Sequence, residues 1–289
     1  MTPLRQRMIE DMQLRGYSAR TQEAYARAVR QLAEYFHRSP DQVSEEELRR
    51  YFLYLANEKK FARTTTTIAL CGIKFFYEQT LHRDWPTLRF VRPAYEFKLP
   101  VVLSREEVQL VLSHVRVPVY RMCLTTIYSC GLRLLEGAQL KVTDIDSARM
   151  VLLVHGKGKR DRYVPLPERT LGLLREFWKT HRSREWLFPA PPRRGISKTL
   201  DQKAGPVTRT SLQSAFYRAW KKTGIAKHAH VHTLRHSYAT HLMEAGVHLR
   251  LIQDNLGHNS PKTTAVYTHL TREVRDTQTD PLNELMKDL

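Results

Sequence analysis

The sequence predicts a mainly α-helical protein in two domains, with one small β-hairpin in the second. Three observations carry this. Apolar residues recur every three to four positions through most of the chain. A proline-rich break at residues 84–102 separates two such helical stretches. Only "MVLLVHGKGKRDRYVPL" has the β-rich character of strands. With 289 residues, 42% of them apolar, the chain is long enough to bury two cores.

The elements follow in order. "YSARTQEAYARAVRQLAEYF" puts Tyr25, Val29, Leu32 and Phe36 on one stripe, with Ser18 placed to cap the helix. "SEEELRRYFLYLANE" opens with a capping box, Ser44 to Glu47. "TTTTIALCGIKFFYEQTL" reads as a third helix with Ile68, Phe75 and Phe76 facing inward. No strand intervenes, so residues 1–83 form an all-helical domain. "DWPTLRFVRPAYEFKLP" has three prolines and no sustained period, which predicts an extended linker over 84–102. A second capping box, Ser104 to Glu107, opens the second domain, residues 103–289. Two β-rich runs then flank Gly156–Arg160 as a hairpin. Residues 187–210 read as a long basic loop. Gly257 reads as a helix stop and Ser260-Pro261 as a new start. In the tail, "DPLNELMKDL", Asp280-Pro281 starts a short helix with Leu282, Leu285, Met286 and Leu289 on one face.

The formal net charge is +18, and most of the surplus lies beyond residue 100. A charge of that size points to a polyanionic partner, of which nucleic acid is the usual one. Cys71, Cys123 and Cys130 are few, odd in number and without metal-site spacing, which suggests a reducing compartment, the cytoplasm. The opening "MTPLRQRMIEDMQL" carries charges throughout and no signal core. No apolar run reaches the ~18 residues of a membrane span.

Four clusters in the second domain carry unusual polar groups. In "YSCGLRLLEGAQL", Arg133 follows a glycine in an apolar setting; the simplest structural role is a pair with Glu136. The hairpin tip "GKGKRDR" could be a solvated charged turn. In "HTLRHSYATHL", Leu234, Tyr238 and Leu242 form the packed stripe, while His232 and Arg235, three apart, share a different face and point off the helix. In "LGHNSPKTTAVYTHL", His258 sits in the break and Tyr267 on the new helix, where a core role for the tyrosine is the alternative.

Taken together the clusters say more. The order Arg133, Lys157, His232, Arg235, His258, Tyr267, with the motifs "GLR", "GKG", "HTLRHSYATHL" and "LGH…Y", resembles the tyrosine recombinase family, nearest its Xer and phage or integron integrase members. His258 and Tyr267 stand nine apart, as the family has them, and the resemblance runs over essentially the whole chain, including the "YSxxTxxxY" pattern at Tyr17–Tyr25. The loop near residues 190–206 is longer than in the most compact Xer-like members.

The resemblance implies a SAM-like helical DNA-clamp domain followed by an α-rich catalytic domain with a small β-sheet. It implies a site-specific recombinase that cuts and rejoins duplex DNA through a 3′-phosphotyrosyl link, with no cofactor, metal or ATP. Tyr267 is then the nucleophile. Arg133 and Arg235 clamp the non-bridging oxygens with charge-assisted forks. His232 accepts the tyrosine proton, its ordinary pKa of ~6.5 suiting a general base. His258 donates to the phosphoryl oxygen, and Lys157 protonates the leaving 5′ oxygen. Lys159, Arg160, Arg193, Arg194, Lys198, Lys221 and Lys222 are candidate DNA contacts. The family further implies a C-shaped clamp on DNA, the tail docked on a neighbour, and a homotetramer on paired sites or a heterotetramer with a second recombinase. It would work at the nucleoid, in mobile-element integration and excision or in chromosome-dimer resolution.

Three rivals stand beside this reading. His232 and His236 have the i,i+4 spacing of zinc ligands, but Arg235 beside them repels a cation and no acidic ligand is near. A DNA-binding protein without catalysis needs only Lys and Arg, not the full reactive set. A type IB-like topoisomerase shares the chemistry, but the helical N-terminal domain resembles the recombinase clamp.

Overall fold

The computed structural model describes residues 2–90, 99–156, 161–191 and 205–257. The chain divides into two compact units, Met1–Lys98 and Leu99–Leu289. None of the helices among the described residues is long and apolar enough to cross a membrane.

The first unit is helical. Its elements are α1 (Pro3–Leu14), α2 (Ala19–Phe36), α3 (Glu45–Asn57) and α4 (Arg63–Phe75), the last running into a π-helical turn, Phe76–Thr80. The caps are the anticipated ones. The Ser18 side chain accepts from the Thr21 backbone, and Ser44 and Glu47 cap each other reciprocally. Met8, Met12, Leu32, Leu48, Phe52, Ile73 and Phe76 fill the core. Gly72 lets α4 lie against α2, since a Cβ there would sit 2.9 Å from the Tyr25 Cα. Ile68 departs from expectation. It is 42% exposed, because the inward face of α4 passes through Ala69 and Ile73 instead. The start of the proline-rich stretch also departs from an extended linker. Trp85 stacks on Tyr77 with ring centroids 4.3 Å apart, Leu88 is buried, and Thr87–Phe90 forms a short helix, α5. The Thr87 amide donates to the Glu45 carboxylate at 2.7 Å. Two apolar side chains that flank Pro86 thus find a home on the first unit.

The second unit opens on the Ser104–Glu107 capping box of α6 (Arg105–Ser113), followed by α7 (Pro118–Ser129) and the short α8 (Leu134–Ala138). A three-stranded antiparallel sheet comes next, β1 (Ile145–Asp146), β2 (Val151–Val154) and β3 (Arg162–Pro165), in the order β1-β2-β3. Strands β2 and β3 are the expected hairpin, in register from Val151 opposite Pro165 to Val154 opposite Arg162. Then come α9 (Glu168–His181), α10 (Arg209–Thr223), α11 (Val231–Glu244) and α12 (Leu249–Leu256).

The segment 187–210 is less of a loop than its composition suggests. Leu187, Phe188 and Val207 are buried, Pro189 pairs with Pro206 in an antiparallel bridge, and α10 has begun by Arg209. Helix α11 runs through the core, with Leu234 fully buried and Tyr238 packed against Ile252 and Leu256 of α12. It ends four residues before α12. Gly257 terminates α12 in the left-handed region at φ 61°, as a helix-stop glycine does. The predicted tail helix, the start at Ser260-Pro261 and the inner part of the basic loop lie outside the described residues.

Candidate active site

The site is built where the α7–α8 turn, the end of α12 and the middle of α11 meet. Gly131 reverses the chain after α7 at φ 61°, and a Cβ there would lie 2.4 Å from the Tyr238 ring. Only glycine satisfies both the backbone and the contact. Leu132 drops into the core, and Arg133 then sits as the N-cap of α8. Its amide donates to Glu136 Oε2 at 2.8 Å and its Nη1 to Oε1 at 2.7 Å, while Nη2 reaches the Gly257 carbonyl at 3.1 Å. The pairing with Glu136 is therefore real, and it coexists with a side chain 38% exposed.

Arg235 approaches the same place from α11. Here the structure corrects the expectation that Arg235 points off a packed helix. It is 1% exposed, with Nη1 donating to the Gly131 carbonyl at 2.8 Å and Nη2 donating to the Leu256 carbonyl at 2.5 Å. The middle of α11 is buried on several sides, so no face of that turn is free.

A third guanidinium completes the cluster. Arg162, the first residue of β3, donates from Nε to the Asn255 carbonyl at 2.8 Å. Its two terminal nitrogens form a fork on Glu136 at 3.1 and 2.8 Å. The carbonyls of Asn255, Leu256 and Gly257 thus each receive one arginine. Unsatisfied carbonyls and the negative end of the helix dipole make the last turn of α12 a natural seat for cations. Beneath them Glu136, with 6% of its side chain exposed, faces all three arginines, Arg235 at 3.8 Å. Burial alone would raise its pKa, but the bonds from Arg162 and Arg133 prevail and hold it down at about 2. Three guanidinium groups meet one carboxylate, so the site stays cationic.

His232 lies on the first turn of α11, three residues before Arg235, with an exposed rim and its ring edge-on to His236 at 4.6 Å. Burial of its inner side, reinforced by repulsion from Arg235, His230 and Arg133, pushes its pKa down to about 4. This corrects the ordinary value assumed from sequence. The imidazole is neutral at neutral pH and free to accept a proton.

Of the six residues singled out, the structure brings together Arg133, His232 and Arg235. Lys157, His258 and Tyr267 lie outside the described residues, as do Lys159, Arg160, Arg193, Arg194 and Lys198. Lys221 and Lys222 are exposed at the end of α10. With His114, Arg116 and Arg218 they line a depression of about 520 Å³ that shares no lining residue with the arginine cluster. Sequence reasoning missed Arg162. Its signal was present, because Arg162 falls on the same strand face as the buried Val164, where an unpaired charge is too costly. Among the described residues no group of three or more His, Cys, Asp or Glu side chains converges as metal ligands do.

The model of the phage integrase family matches residues 102–273, which includes this whole cluster, and its N-terminal SAM-like domain matches residues 4–87. The chain belongs to the phage integrase family. Among the relatives of this integrase-family chain, a Sinorhizobium fredii protein named as integrase/recombinase y4qK is 44% identical, over 93% of the chain and 85% of the relative. The tyrosine recombinase XerC of Halalkalibacterium halodurans is 31% identical over 78% of the chain and 77% of its own length. Among solved structures, the XerA recombinase is 26% identical with a TM-score of 0.53, covering 96% of this chain and 97% of that one. A lambda integrase dimer bound to a core site superposes with a TM-score of 0.73 over 91% and 93% of the two chains; at 16% identity that likeness shows the fold. This member of the family is a tyrosine recombinase, a site-specific DNA strand transferase.

Proposed function

We propose that this recombinase cleaves each DNA strand by attack of Tyr267 on the scissile phosphate, forming a 3′-phosphotyrosyl bond as the bond to the 5′ oxygen breaks. Arg133 and Arg235 hold the non-bridging oxygens. His232 takes the tyrosine proton, His258 donates to the phosphoryl group, and Lys157 protonates the departing oxygen. The observation that carries this reading is the convergence of Arg133 and Arg235, distant in sequence, on one helix end beside a neutral His232. The guanidiniums now spend donors on the Leu256 and Gly257 carbonyls. A phosphodiester oxygen is charged and a stronger acceptor than a peptide carbonyl, so DNA would take those bonds over. Burial is the larger cause of the depressed His232 pKa, but the phosphate's negative charge would offset the added repulsion from Arg235, His230 and Arg133 and move the imidazole back toward a useful base.

The basic residues from Lys159 to Lys222 named above would add phosphate contacts, and the protein would act as a homotetramer on paired sites, or beside a second recombinase, at the nucleoid in the cytoplasm. Integration and excision of a mobile element, and resolution of chromosome dimers, both fit this chemistry. The nucleophile is testable directly. Tyr267→Phe should bind a nicked suicide substrate with unchanged affinity and form no denaturant-resistant adduct. An adduct from the phenylalanine variant would move the nucleophile to another residue.

A further inference from the structure

The stem of the β2–β3 hairpin holds a second charged cluster, separate from the arginines. His155 follows the last residue of β2, and Asp161 precedes the first residue of β3. The imidazole Nδ1 lies 2.9 Å from Asp161 Oδ2, and Nε2 lies 3.5 Å from Asp144 Oδ1. Asp144 is the more constrained carboxylate. It ends the turn Val142–Asp144, has 6% of its side chain exposed, and spends Oδ2 on the Lys141 amide at 2.8 Å. Its other oxygen is what faces His155.

Both ring nitrogens therefore face carboxylates, which only accept. A neutral imidazole offers one N–H and would turn a lone pair toward the other carboxylate; only the imidazolium offers an N–H to each. The bond from Asp161 raises the His155 pKa, partial burial opposes it, and the charges of Asp144 and Asp161 add to the rise. Among the described residues these two groups, one from the turn before β1 and one just before β3, are the charges that face the ring. Arg162, next to Asp161, is turned to Glu136.

The bridge closes the hairpin ladder one step beyond its last pair, Val154 with Arg162. It ties His155 and Asp161, which flank residues 156–160, to the body of the domain at Asp144. We propose that His155 is a positioning residue for strand cleavage: bridging Asp144 and Asp161, it sets where the hairpin tip begins and ends, and so presents Lys157 to the departing 5′ oxygen. This rests on the general-acid role given to Lys157 above. A loop tip anchored at both ends loses less conformational freedom when the lysine engages DNA than one with a frayed stem. The positioning is present while His155 is protonated and fades as pH rises through its pKa.

The test uses two substrates, ordinary DNA and DNA with sulfur at the bridging 5′ position of the scissile phosphate. In both, the Tyr267 oxygen forms a bond to phosphorus as the bridging bond breaks. An oxygen leaving group needs a proton from Lys157, whereas a thiolate departs without one. His155→Ala should therefore cleave ordinary DNA on the order of tenfold to a hundredfold more slowly, and the sulfur substrate near the wild-type rate, as Lys157→Ala should. The wild-type ratio of sulfur to oxygen rates should climb from neutral pH upward, and more shallowly in His155→Ala. A His155→Ala protein slow on both substrates, or normal on both, with Lys157→Ala rescued, would overturn the clasp and leave the lysine assignment standing. A Lys157→Ala protein that sulfur does not rescue would overturn the general-acid assignment and the clasp with it. Thermal melting of His155→Ala, expected near wild type for an exposed side chain, separates misfolding from mispositioning.

Discussion

Glu136 shows how one residue can set the chemistry of its neighbours. A carboxylate with 6% of its side chain exposed would be unstable alone, yet here it is ionised because Arg162 forks onto it and Arg133 closes from above. Its pKa of about 2 against an ordinary 4.5 makes it a stability term with a definite pH window. The folded state binds fewer protons than the unfolded state between those values. The contribution is thus complete above pH 4.5 and lost as pH falls toward 2. In full it is on the order of 3 kcal/mol. His232 acts in the same direction in a higher window. Its depressed pKa means that folding is weakened as pH falls from 6.5 toward 4. Glu136→Gln should lower the stability at neutral pH by about 3 kcal/mol, since it leaves three guanidiniums around a neutral amide. Urea midpoints measured from pH 7 to pH 3 should fall less steeply below pH 4.5 in Glu136→Gln than in wild type. Parallel curves would show that the carboxylate is not held ionised by the cluster.

At the scale of elements, the helix starts were legible because capping is local. Ser18, Ser44 and Ser104 act within three residues of themselves, and sequence shows that distance. The arginine cluster was legible only in part. Arg133 and Arg235 stand in recognisable motifs, whereas Arg162 shows in sequence only as a charge on the strand face of Val164, and its partners appear once β3 is laid beside α12. The depth of Arg235 was not legible either, because a helix buried on several sides has no single polar face to read. The turn between α7 and α8 can be tested on its own. Gly131→Ala must place a methyl against the Tyr238 ring and strain a backbone at φ 61°. Gly246 has φ 78° but nothing within 4 Å of its would-be Cβ, so Gly246→Ala carries only the backbone cost, about 1 kcal/mol. Gly131→Ala should cost several times that, about 3 kcal/mol or more. It should also slow cleavage, because the Gly131 carbonyl that orients Arg235 shifts. Equal losses in the two variants would mean that the Tyr238 contact yields freely and that the glycine of "GLR" serves the backbone alone.

For the whole molecule, composition cannot show that Trp85 and Leu88, inside the proline-rich stretch after residue 84, turn back onto the first core. Charge is the other property that belongs to the whole chain. A net +18 does not specify a fold, but it does govern how a recombinase meets DNA. Each phosphate neutralised by Lys or Arg releases a counterion, with a slope of about −0.9 per contact in log affinity against log salt. A protein gripping six to ten phosphates should then lose roughly 10³- to 10⁵-fold in affinity between ~50 and ~200 mM salt, on specific and random duplexes alike. Lys221 and Lys222 offer the sharper measurement. They are exposed at the end of α10, beside Arg116 and Arg218 and away from the arginine cluster, so their removal should leave the fold and the catalytic groups untouched. If both contact phosphates, Lys221→Ala with Lys222→Ala should flatten the salt slope by about 1.8 and weaken specific and non-specific binding by the same factor. An unchanged slope would take this basic depression out of the DNA interface. A change seen on the specific duplex alone would instead mean that the two lysines read bases, which a pair of exposed ammonium groups on flexible stems is poorly built to do.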